Sequence, residues 1–181
     1  MKKGLRALIA AVTAAITVSA FAVTQDGSVD SAASSGTVDI NLNITPAIVI
    51  SGLTTIDLSA DAASTSGDLT GSDTFCVASI GFSNYEVTLT SGTAGAGTYE
   101  LAGTSQNLPY SVEYTSDTAL DTGDAPNGTG IVEPAAPYVP AQGLTCSADN
   151  AKLIVNVAES QWLSATEQSY TDTLTIQVSG Q

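Results

Sequence analysis

Thr37-Val38-Asp39-Ile40-Asn41-Leu42-Asn43-Ile44-Thr45 alternates polar and apolar residues without a break. Successive side chains of an extended strand point to opposite faces, so Val38, Ile40, Leu42 and Ile44 share one apolar face and Asp39, Asn41, Asn43 and Thr45 the polar one. Pro46 ends or kinks the run. The same period recurs downstream. Tyr85, Val87 and Leu89 alternate with Glu86, Thr88 and Thr90, and Leu174, Ile176 and Val178 alternate with Thr173, Thr175 and Gln177. Shorter runs at Ala47–Ile50, Ile56 and Leu58, Tyr99 and Leu101, Leu108–Tyr114 and Leu153–Val157 also read as strands. Gly-rich or small-residue loops separate them at 61–72, 91–97 and 115–142. Helical periodicity is confined to a turn at 158–165. Short strands rich in Thr, Val and Tyr predict an all-β sandwich.

Upstream of this pattern, residues 1–22 read as a secretory signal peptide. Lys2, Lys3 and Arg6 make a basic start, Leu8 to Val18 an apolar middle, and Ala20-Phe21-Ala22 a small-x-small cleavage site. The apolar run is shorter than the roughly 20 residues of a membrane span. No second span follows, so no membrane insertion is expected. Residues 23–36 are Ser, Ala, Gly and Asp with little to bury, a flexible leader. In an exported chain the two cysteines, Cys76 and Cys146, are expected to form a disulfide.

Charged residues make up 12% of the chain, against a usual share of about 25%, while hydrophobic residues make up 43%, which separates it from charge-rich disordered chains. After residue 22, Lys152 is the one cation facing all 18 carboxylates. Such a surface repels nucleic acid and anionic lipid, and no nucleic-acid partner is expected. Histidine is absent, which excludes Ser-His, Cys-His and His-metal mechanisms. No catalytic, cofactor or metal residues are assigned, and the protein reads as a non-enzyme. Three features carry a second reading. Asp121, Asp124 and Asn127 supply oxygen ligands in one loop but lack the spacing of a calcium loop. The carboxylates are scattered over turns and polar strand faces, which suits a solvated surface better than the paired acids of a glycosidase. Trp162 suits the end of a sandwich core better than a sugar-stacking platform.

The amino-terminal strand is the cleanest in the chain, yet it hangs on a leader outside the first turn. Such a strand can complete its own sheet or add to a neighbour's. Thr37–Thr45 and the closing Tyr170-Thr-Asp-Thr-Leu-Thr-Ile-Gln-Val178 resemble pilin subunits of the chaperone–usher pathway, in particular the archaic, spore-coat-U-like group. Asn84-Tyr-Glu-Val-Thr-Leu-Thr90 and Leu108-Pro-Tyr-Ser-Val112 are similar as well. The resemblance implies an incomplete immunoglobulin-like domain over 46–181 that lacks its last strand and exposes an apolar groove. A periplasmic chaperone fills the groove first. At the outer-membrane usher the donor strand (37–45) of the next, identical or related, subunit replaces it. Val38, Ile40, Leu42 and Ile44 are then the donor residues, and Leu174, Ile176 and Val178 lie beside the groove. The implied role is a structural subunit of a surface pilus in adhesion or biofilm formation, reached through the periplasm. Archaic members often place a cysteine close behind the donor strand; here none precedes Cys76. The alternative is a self-complemented secreted β-sandwich that binds carbohydrate or matrix. What residues 37–45 pair with distinguishes the two.

Overall fold

The computed structural model describes residues 36–60 and 66–181. The signal peptide 1–22, the leader up to residue 35, and 61–65 lie outside the described residues. The chain divides after Leu42, and the sandwich belongs to the part from Asn43 onward.

In chain order the strands are β1 (Ala47–Ser51), β2 (Leu69–Ile80), β3 (Tyr85–Ser91), β4 (Gly95–Ala96), β5 (Glu100–Ala102), β6 (Asn107–Pro109), β7 (Ser111–Thr115), β8 (Ile131–Val132), β9 (Ala141–Gln142), β10 (Ala151–Val157) and β11 (Leu174–Gly180); one helical turn, α1 (Glu159–Trp162), precedes β11. One sheet runs β1-β2-β10-β7 with β9 added to β2, a second runs β11-β3-β4 with β8 added to β3, and β5 and β6 form a separate hairpin. The fold is all-β, as the period-two runs require.

The long strand β2 divides its pairing. Leu69–Phe75 pairs antiparallel with β10, and Cys76–Ile80 pairs antiparallel with β1. The disulfide sits at this change of partner, joining Cys76 to Cys146 with Cα atoms 5.9 Å apart. Beside it the Asn150 amide substitutes for a strand. Its Oδ1 accepts from Val77 N at 2.8 Å and its Nδ2 donates to Val77 O at 2.9 Å.

The core lies between the sheets. Phe75 and Val77 from β2, Tyr85, Val87 and Leu89 from β3, Val112 and Tyr114 from β7 and Leu153, Val155 and Val157 from β10 are buried together. At its centre Tyr114 packs edge-on against Tyr138, ring centroids 4.9 Å apart. Its hydroxyl shares a 2.7 Å hydrogen bond with the Tyr85 hydroxyl. Tyr138 donates to Asp124 Oδ2 at 2.8 Å. Burial raises the pKa of both Tyr85 and Tyr114, so these hydroxyls stay protonated and hydrogen-bonded.

The structure departs from the sequence pattern at several places. Residues 37–45, which alternate like a strand, carry none in the single chain, because among the described residues nothing pairs with them. The short strands β4, β8 and β9 lie inside the expected loops 91–97 and 115–142. The run Leu108–Tyr114 breaks at Tyr110 into β6, which pairs with β5, and β7, which pairs with β10. One alternating run therefore serves two sheets. β2 begins at Leu69, inside the expected loop, because the small polar residues Thr70–Asp73 are carried by their pairing with β10. Ile56 and Leu58 belong to no strand. They lie over Gly71 of β2, where a Cβ would stand 2.6 Å from Ile56 and 2.7 Å from Leu58.

β10 is buried on both faces, including Lys152. The Lys152 ammonium donates to Leu120 O at 2.7 Å and Asp121 Oδ1 at 2.9 Å. The single cation after residue 22 thus anchors the long loop to the sheet. Asp121 itself is exposed, so screening weakens the ion pair and the buried stem and carbonyl bond carry most of the effect. Lys152→Met is expected to lower stability by about 2 kcal/mol, the scale of a hydrogen bond to a charged group. Urea unfolding checks this; an unchanged midpoint would show that the loop is held by other contacts.

Candidate strand-accepting groove

Most sheet edges are covered. β9 lies along the distal half of β2, an Asp124 bridge covers β7, and β4, β8 and a Tyr138 bridge cover β3. Among the described residues no strand pairs with the second edge of β1 or of β11. These two strands belong to different sheets and approach each other to within 8 Å between Cα atoms. An inserted strand needs about 4.8 Å on each side, so none fits where they meet. Past Ser51 the chain 53–60 continues unpaired, and a groove opens between it and the start of β11.

The groove contains two connected hollows of about 340 and 630 Å³, which share Thr55, Ile56, Leu58, Leu101 and Asp172. One wall is Leu53–Leu58, the other Asp172–Ile176, and Leu153, Val155 and Leu101 reach it from the core. Along β11 the inward side chains Leu174, Ile176 and Val178 are half-buried, whereas their partners Leu89 and Val87 on β3 are fully buried. The last strand therefore presents an apolar face that the folded chain covers only in part.

Two carboxylates fix the walls. Asp73 of β2 accepts from Thr54 N at 2.8 Å and Thr54 Oγ1 at 2.6 Å, holding the unpaired segment against the sheet. Asp172, just before β11, accepts from Ser91 Oγ and Tyr110 OH, each at 2.7 Å, and from Thr93 N and Oγ1, each at 3.0 Å. Burial pushes the Asp172 carboxyl pKa up, but these donors outweigh it and the net shift is downward. The closing Tyr-x-Asp-Thr-Leu run thus has a local purpose. Its aspartate ties the root of the last strand to the turn after β3 and to Tyr110.

A strap at 163–171 borders the larger hollow. Gln106 Oε1 accepts from Thr166 N, Thr166 Oγ1 and Tyr170 OH at 2.9–3.0 Å. Glu167 accepts from Thr104 N at 2.5 Å, Ser105 N at 2.6 Å, Ser105 Oγ at 2.7 Å and Gln106 N at 3.1 Å. The Thr104 amide and the Ser105 hydroxyl and amide hold the Glu167 carboxyl down at about 2, against an ordinary 4.5. A depressed folded-state pKa adds stability that is complete above the unfolded value and is lost as pH falls through the folded one. The strap is therefore expected to loosen between about pH 4.5 and 2. Glu167→Gln should flatten the pH dependence in that window. Trp162, which lines the same hollow and donates from Nε1 to Gly67 O at 2.9 Å, supplies the fluorescence readout; identical acid titrations of variant and wild type would remove Glu167 from this role.

Leu174 and Ile176 line the groove, and Val178 packs against the core further along β11. Residues 36–46 carry no strand, and Val38, Ile40, Leu42 and Ile44 are 72, 88, 81 and 57% exposed. Cys76 and Cys146 are paired away from the groove lining. Asp121, Asp124 and Asn127 do not converge. The first binds Lys152, the second Tyr138, and the third folds its carbonyl back onto Thr129 and Ile131. Trp162 packs half-buried against the core at the groove's end. Asp73, Gln106 and Glu167 carry no sequence signal of their own, because their partners are 19 to 64 residues distant. Among the described residues no helix is long and apolar enough to cross a membrane. No protein-family model matches the chain, and no curated protein matches it.

Proposed function

We propose that this chain is a structural subunit of a bacterial surface pilus, polymerising by donor-strand complementation. On this reading residues 37–45 of one subunit enter the groove beside β11 of the next. A periplasmic chaperone holds the groove during export and the outer-membrane usher exchanges it. The disulfide fits an exported chain. The observation that carries the proposal is the open edge of β11 with its half-buried aliphatic row, in a chain that also exposes a matching row at 38–44.

Chain reach favours pairing between copies over self-complementation. Five residues of β1 separate the tether at Ala47 from the groove, about 17 Å of strand. Ile44 stands three residues before Ala47 and reaches at most about 11 Å, and Leu42 arrives only at full stretch. The complete aliphatic row therefore cannot seat in its own groove. A second copy has no such constraint.

The test is polymer formation by the exported chain with its amino-terminal strand intact or deleted. Deletion should leave a folded monomer that caps rather than extends. Polymer of equal length without residues 37–45 would defeat the reading. Assembly should also respond to salt. With one cation against 18 carboxylates after residue 22, subunits repel over about 10 Å at 0.1 M ionic strength. Raising salt from low values is expected to increase polymer yield in light scattering. Yield independent of salt would show that surface repulsion does not control association.

A further inference from the structure

Gly71 lies in the interior of β2, opposite Val155 of β10. A glycine weakens a strand, and one in mid-strand marks a close approach by another part of the chain. Its backbone does not call for glycine, because its φ is not positive. The space around it does. Side chains two residues apart on a strand share a face, and Asp73, Phe75 and Val77, which follow Gly71 at that spacing, are all buried. A Cβ at Gly71 would therefore point into the sandwich, where Ile56 and Leu58 stand 2.6 and 2.7 Å from it.

Those two side chains line both hollows, and Leu174 and Ile176 stand across the smaller one. Among the described residues, the wall 53–60 is hydrogen-bonded to the sheet through Thr54 and Asp73 alone. How deep Ile56 and Leu58 sit is thus decided by their packing on Gly71. Apolar carbons rest about 3.5–4.0 Å apart, so a methyl group there would drive both side chains about 1 Å away from β2, into the space of the hollows.

We propose that Gly71 is a positioning residue that sets the size of donor side chain the groove admits. By letting Ile56 and Leu58 sink onto β2, it keeps the hollows deep enough for the branched side chains of Val38, Ile40, Leu42 and Ile44. This rests on the strand-accepting reading above and adds the residue that gives the groove its size selectivity. One methylene more or less in a hydrophobic pocket changes discrimination about 10- to 200-fold. A shift of about 1 Å in the wall is a change on that scale.

The exported chain, as wild type and as Gly71→Ala, is titrated with nine-residue peptides of sequence 37–45, and Trp162 fluorescence reports seating. In each peptide one of Val38, Ile40, Leu42 and Ile44 is replaced by Ala or by Phe. Gly71→Ala should bind the unsubstituted peptide about tenfold more weakly than wild type does. At one position it should prefer the Ala peptide to the unsubstituted one, the reverse of the wild-type order. A general loss of stability weakens all peptides together and reverses no order. If Gly71→Ala fails to fold, Leu58→Ala decides in the opposite direction. It trims the half-buried wall, enlarges the hollow, and should bind the Phe peptide at one position about tenfold tighter than wild type does. If wild type binds the peptides and the deciding variant keeps the wild-type order among them, the role of Gly71 is overturned while the strand-accepting reading stands. If wild type binds no peptide, both are overturned.

Discussion

Leu42→Asp is expected to abolish polymer formation, while Asn41→Asp one residue away leaves it near the wild-type level. Leu42 lies in the middle of the aliphatic row and is 81% exposed in the single chain, so the substitution leaves the folded domain intact and acts only on association. Under the proposed complementation its side chain enters a hollow lined by Ile56, Leu58, Leu174 and Ile176. Burial of one such aliphatic side chain is worth about 1.5–3 kcal/mol. An aspartate forfeits that and also brings a carboxylate into a groove that already holds Asp73 and Asp172 and no cation. The combined loss is expected to exceed about 3 kcal/mol, roughly two orders of magnitude in affinity. Asn41 stands on the opposite face, where an added charge remains hydrated. Polymer length is measured by sedimentation or electron microscopy of protein delivered with each change. Equal polymer from Leu42→Asp and wild type would remove the row from the interface.

The groove also explains which parts of the sequence were readable. The strands at 85–90 and 174–178 were legible because each has one buried and one solvated face, which writes the period into the residues. β10 was only half legible. Leu153, Val155 and Val157 alternate, but Ile154 and Lys152 are buried as well, since the loop anchored through Leu120 and Asp121 covers the outer face. Ile56 and Leu58 have strand spacing and no strand, because the edge that would pair with them is the open side of the groove. The break at Tyr110 was invisible, because the residues on both sides keep one alternation while the backbone moves from one sheet to another. The carboxylates that build the site were unreadable for a different reason. Asp73 and Glu167 look like any surface acid until folding brings Thr54 and the turn at 104–106 against them. In the sequence Asp172 is one residue of the closing Tyr-x-Asp-Thr-Leu run, and its role comes from the four donors that converge on it.

Removal of the disulfide is the second change expected to have a large effect. The bond closes a loop of 70 residues, and freeing that loop in the unfolded chain lowers stability by about 4 kcal/mol. In a domain of this size that corresponds to a fall in Tm of roughly 10–20 °C. The location adds a local consequence. Cys76 is the β2 residue opposite Ser51, the last residue of β1, and its neighbour Phe75 opposes Ala151, the first residue of β10. The bond and the Asn150 amide therefore hold β2 at the point where it exchanges one partner for the other. Loosening there frees β1 and the wall that continues from it as Leu53–Leu58. The paired change Cys76→Ser with Cys146→Ser should thus lower Tm and also weaken acceptance of a donor strand at temperatures where the domain is still folded. Acceptance is read from Trp162 fluorescence with the 37–45 peptide, stability from thermal unfolding of the same sample. A lower Tm with unchanged peptide affinity would confine the disulfide to global stability, and an unchanged Tm would show that the Asn150 bonds and the β2 pairings hold this junction without it.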